Sequence, residues 1–117
     1  MSYTFEVGRE TVWDPALRIG QLYLSLADAA GERFGVPSGL TPRADGTCAV
    51  DVPVFRRFVE AMIEVHASTR HPVMHGLFRG VLLASLVMLE RADGELVAKS
   101  EQEQALLVEA REFGRSM

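Results

Sequence analysis

The chain has 117 residues, 48% of them hydrophobic, and a single cysteine. That length suits one domain, and the apolar share is enough for a core, unlike the low-hydropathy, high-charge composition of a disordered chain. The net charge of −4 is an ordinary solubility charge that offers nucleic acid no basic footprint, and Cys48 alone excludes an intramolecular disulfide.

In chain order, Tyr3 to Val7 and Thr11 to Trp13 are short β-branched and aromatic runs around Gly8-Arg9-Glu10. They predict an N-terminal β-hairpin with a three-residue turn. Two strands alone are marginal in water, so the ribbon should lean on helices or pair through its free edge. Asp14-Pro15 then has the form of a helix start, with Asp14 as cap and Pro15 in the first turn. Ile19, Leu22, Tyr23, Leu26, Ala29 and Ala30 form one stripe at helical spacing, expected to face inward, and Gly35 should end the helix. Val36 to Gly46 reads as loop, and Thr47 to Val50 could be a short extended piece.

A second helix is predicted from the Asp51 cap to about Ser68, with Phe55, Phe58, Val59, Met62 and Ile63 inward. Thr69-Arg70-His71-Pro72 breaks it, because the residue before a proline resists helical ψ. Pro72 opens a third helix to about Arg91, apolar on most sides and therefore expected at the centre. Its most apolar run, Val81 to Leu89, is well short of the roughly 20 residues a membrane span needs. Asp93-Gly94 is a stop, and Ser100 with Glu103 has capping-box spacing for a last helix that buries Leu106, Ala110 and Phe113, with Leu107 at the border. The expected architecture is mainly α: about four helices in a bundle-like single domain behind a short N-terminal β-hairpin.

Three histidines are the sharpest chemical feature. His66 falls on the apolar face of the second helix, and His71 and His75 flank the start of the third. Three imidazoles can hold zinc and leave a position open for water. The plainer reading, which we expect, is a core-edge His66 bonded to a carbonyl or carboxylate, with two unrelated surface histidines. Cys48 beside His66 lacks an orienting third group for nucleophilic chemistry and fits packing better. Arg70 and Arg79 could coordinate an anion, although pairing at the surface is commoner. His-Glu-x-x-His, Gly-x-Ser-x-Gly and phosphate-loop signatures are absent. Gly76 and Gly80 form a small stripe with Ala84, explained by close helix packing, and Trp13 should staple the ribbon to the helices rather than stand exposed as a binding anchor.

Phe5-Glu6-Val7-Gly8, Val12-Trp13-Asp14-Pro15 and Leu17 to Tyr23, with Arg70-His71-Pro72-Val73 and Gly80 to Val87, resemble a small family of uncharacterised proteins from Streptomyces-like actinobacteria. The resemblance covers roughly residues 3 to 92 and implies no activity or site. It fits a basic complement in which arginine supplies 11 of 12 residues, a skew that reads as genomic composition.

Two classes of function follow. The first is a non-enzymatic cytoplasmic protein that binds another protein or a second copy of itself, with no nucleic acid, membrane or cofactor. Its expected homodimer surface is Phe78, Leu83 and Leu86, with Leu17 and Leu24, unless the monomer hides them. The second is a small-ligand or metal-binding domain, conceivably an enzyme, at a pocket where His66, His71, His75, Arg70 and Cys48 converge. The N-terminus has neither the basic nor the apolar stretch of a signal peptide, hence the cytoplasmic expectation.

Overall fold

In a computed structural model covering residues 1–117, Thr4–Val7 (β1) and Glu10–Trp13 (β2) form the expected antiparallel hairpin. Its turn is one residue tighter than expected: Val7 pairs with Glu10, leaving Gly8 (φ +60°) and Arg9 as the loop. Of the ribbon's two edges, that of β1 is covered and that of β2 stays at the margin of the sheet. Thr47–Val50 (β4) pairs with β1 in parallel, and Leu40–Pro42 (β3) lies antiparallel on β4, giving the strand order β2-β1-β4-β3. A parallel neighbour needs a crossover, and the helix Leu17–Phe34 (α1) supplies it. Phe5 and Cys48, on the two inner strands, are fully buried.

Helix α1 starts later than Asp14-Pro15 suggested. Asp14 accepts a hydrogen bond from Thr4 Oγ1 at 2.8 Å instead of capping, while Pro15 and Ala16 stay extended against Ser2 and Tyr3. A sheet partner outcompetes the local helix signal. Tyr23 faces inward as expected, but the rest of the inward face is Gly20, Ala27 and Gly31, about 100° around the helix from Ile19, Leu22 and Leu26. The reason is steric. A Cβ on Gly20 would sit 2.7 Å from Tyr3 Cβ, so α1 can come this close to Tyr3 only where it presents a glycine. Gly35 ends it in the left-handed conformation, as expected.

Helix α2 (Val52–Ser68) is capped by Asp51, whose carboxylate accepts from the Val54 amide. Helix α3 (Pro72–Asp93) packs against α1, α2, β2 and the last helix, α4 (Glu101–Phe113). Phe78 and every residue from 81 to 89 are buried, which places α3 at the centre as expected. By length and composition α3 could cross a membrane, and slightly more than half of its apolar stretch is buried inside the domain. Ser100 caps α4 by accepting from the Glu103 amide, and the Glu103 carboxylate accepts from Lys99 rather than from the cap residue itself. Leu107 joins Leu106 and Ala110 in the core, whereas Phe113, expected inward, is exposed. The fold is therefore mainly α, four helices behind a short N-terminal hairpin.

Two polar devices fasten the end of the chain. Arg91 donates to the carbonyls of Val12 and Gly114, joining β2 to the turn after α4. Glu90 accepts two bonds from Arg111 and one from the Leu96 amide. Burial alone would raise the Glu90 carboxyl; these three donors outweigh it and hold the group below the usual carboxylate range.

Candidate functional site

The histidines divide into a pair and an outlier. His71 is the N-cap of α3, its Nδ1 accepting from the Val73 amide at 3.3 Å. His66 and His75 stack, ring centroids 4.1 Å apart and planes 13° from parallel. His75 Nε2 lies 2.7 Å from the Thr69 carbonyl and 3.0 Å from that of His66. Both partners only accept, so Nε2 carries the proton. That nitrogen closes the α2–α3 turn and has no lone pair to offer a metal. Burial, then the neighbouring His75, pushes the His66 imidazole below its ordinary pKa. The pair borders an open depression of about 300 Å³ shared with Arg79, Gln102 and Glu109, and Arg79 donates to Glu109 at 3.0 Å.

The remaining residues proposed for a ligand or metal do not join this pair. Arg70 is exposed in the α2–α3 turn. Cys48 lies in the sheet beside Tyr3, its thiol pushed up to about 11 chiefly by burial, which denies it a thiolate at neutral pH. No group of three His, Cys, Asp or Glu side chains is placed to hold a metal ion. A surface depression of about 580 Å³ between α1 and the loop before β3 is lined by only two hydrophobic residues. Its buried polar group, Ser38, already donates to Asp28 and accepts from Leu40.

The residues expected to form an interface are also relocated. Phe78, Leu83 and Leu86 are core side chains, and Leu17 and Leu24 are half-buried against that core. The second half of α3, residues 81 to 89, finds its cover within one chain. Trp13 staples the ribbon as expected: it is buried, stacks on Phe5 at 5.4 Å and meets Tyr23 edge-on.

What the chain leaves uncovered is a different face. Ile19, Leu22 and Leu26 of α1, Val73 and Leu77 of α3, and Phe113 at the end of α4 are large apolar residues between 39% and 75% exposed. All but Val73 line a groove of about 430 Å³ whose floor includes Trp13, Tyr23, Val81 and Ala84; Ser116 and Met117 complete the lining, and no charged side chain is part of it. Gly76 and Gly80 complete its α3 wall, and a Cβ at either would meet nothing within 4 Å. Glycine inside a helix costs about 1 kcal/mol against alanine, and no neighbour in the chain uses the room these two leave. The close packing expected of them is not made within the chain. The stripe on α1 was visible in the sequence but assigned inward. The signal that could have reversed the assignment was the competing line of small residues Gly20, Ala27 and Gly31.

The geometry is that of a small helical domain with an apolar surface groove free of charged side chains. The chain belongs to DUF6086, a family of unknown function, whose match spans residues 1–117. The family therefore takes in α4, beyond the part on which the resemblance rested. No curated protein and no solved structure matches the chain.

Proposed function

We propose that this domain is a non-catalytic, cytoplasmic protein-interaction module whose binding surface is the α1–α3 face. The observation that carries the reading is the cluster of six large apolar side chains left exposed around one groove beside an otherwise complete core. Contiguous apolar patches of a few hundred Å² on a monomer are commonly interaction sites. The absence of charge at the patch centre and the presence of aromatic residues there match the composition of interface cores. The arginine-heavy basic complement supports the finer assignment to an actinobacterial source.

Site-specific photocrosslinking in cells tests the reading. A benzophenone side chain at position 77, on the groove, should capture a polypeptide, while one at position 60, exposed on α2, should capture far less. Equal capture at both positions, or none at either, overturns it.

A second reading has one observation in its favour. The groove volume falls within the range of small-molecule pockets, so an apolar ligand could occupy the same site. Native mass spectrometry of the purified protein reads that outcome as an added mass too small for a polypeptide.

A further inference from the structure

We infer that the occupant of the α1–α3 face is a second copy of this chain, docked across a two-fold axis with the two α3 helices crossing near Gly76 and Gly80. The inference rests on the interaction reading above and names its partner.

Area is the first argument. Taking roughly 180 Å² for a fully exposed residue of this size, the six side chains carry on the order of 600 Å² per chain, so covering both copies removes about 1,200 Å², past the 1,000 Å² or so that a specific interface needs. A single small ligand covers only part of that surface.

Electrostatics is the second. In a two-fold interface every residue near the axis faces its own copy, so any charge there meets a like charge. The groove lining contains no charged side chain, which removes the usual obstacle to self-pairing among the side chains that line it.

The backbone of α3 also suits self-pairing. Val73, Gly76, Leu77 and Gly80 follow the i, i+3, i+4, i+7 spacing of one helix face, and all four are exposed. Two glycines four apart let helix backbones approach closely while flanking side chains interlock. Here the space above both glycines is open, and the flanking side chains are Val73 and Leu77. A glycine weakens its helix relative to alanine; a crossing helix gives that absence of side chain a use.

Sedimentation equilibrium of the full untagged chain tests the inference. The wild type should approach twice the 12.9 kDa chain mass at micromolar concentration. Leu77→Glu and Leu22→Glu should each raise the dissociation constant at least tenfold with an unchanged far-UV spectrum and a melting temperature that no longer rises with protein concentration, since both side chains stand outside the core. Gly76→Leu separates a close crossing from unspecific stickiness: it adds apolar surface and improves helix propensity, yet should also raise the constant at least tenfold. A wild type that stays monomeric overturns self-pairing, whether the face then proves to hold a foreign polypeptide or an apolar small molecule. If capture at position 77 succeeds while the chain sediments as a monomer, the interaction reading survives and only the second copy is lost. Dimerisation unaffected by both Glu variants overturns the face, and a tighter dimer in Gly76→Leu overturns the crossing.

Discussion

The Tyr23 hydroxyl and Ser85 Oγ share a 2.6 Å hydrogen bond in the middle of the core, and burial, partly offset by that bond, raises the Tyr23 phenol. Each group is the other's side-chain partner, so Ser85→Ala should cost about 1–3 kcal/mol in urea denaturation by orphaning a buried hydroxyl. Adding Tyr23→Phe should recover part of that loss, because two apolar side chains leave nothing unsatisfied. A neutral single variant would contradict the pairing. His66 gives a pH-dependent counterpart. Its folded pKa lies below the ordinary value, with His75, Arg79 and Glu109 as its charged or titratable neighbours. The unfolded chain therefore takes up the proton first. The stability His66 contributes is complete above its unfolded pKa of about 6.5 and is lost as pH falls through that value toward the folded pKa. The melting temperature should drop across that window, and His66→Gln should flatten the drop. Loss linked to the depressed Glu90 carboxyl belongs to a lower window, below about 4.3. The place of His66 on the apolar side of α2 was legible from spacing. The cap made by His71 and the stacking with His75 were not, because both depend on how the α2–α3 turn closes.

At the scale of elements, α1 shows where periodicity misleads. Its bulky stripe and its line of small residues both repeat at helical spacing, and a wheel weighted by hydrophobicity favours the bulky one. Close approach decided otherwise, since Tyr3 lies directly over Gly20. The same substitution should thus have opposite signs on two helices. Gly20→Ala drives a Cβ into Tyr3 and should destabilise the fold by roughly 1–3 kcal/mol, the usual cost of overpacking. Gly76→Ala enters open space and should stabilise the monomer by up to about 1 kcal/mol through helix propensity. Chemical denaturation in a Leu77→Glu background, where association is suppressed, measures both without mixing folding with pairing. Equal signs would contradict the assigned inward face. The caps at Asp51 and Ser100, in contrast, were readable because cap and amide are neighbours in sequence.

For the molecule as a whole, the central position of α3 was legible because a helix apolar on most sides has few other places to go. The parallel pairing of β1 with β4 was not: Phe5 and Cys48 are Cα partners, yet nothing local in either segment specifies a neighbour so distant in the chain. That pairing covers the β1 edge of the ribbon while β2 stays an outer strand, and the interior takes Phe78, Leu83 and Leu86. What remains uncovered is the stripe of α1 together with the first half of α3. Hydrogen exchange followed by mass spectrometry at low and at high protein concentration tests this most directly. Protection should rise with concentration in peptides covering residues 19–26 and 73–80, and stay unchanged in α2 and in the already buried second half of α3. Protection that is independent of concentration in those two segments, or that rises instead along β2 or β3, would contradict the account.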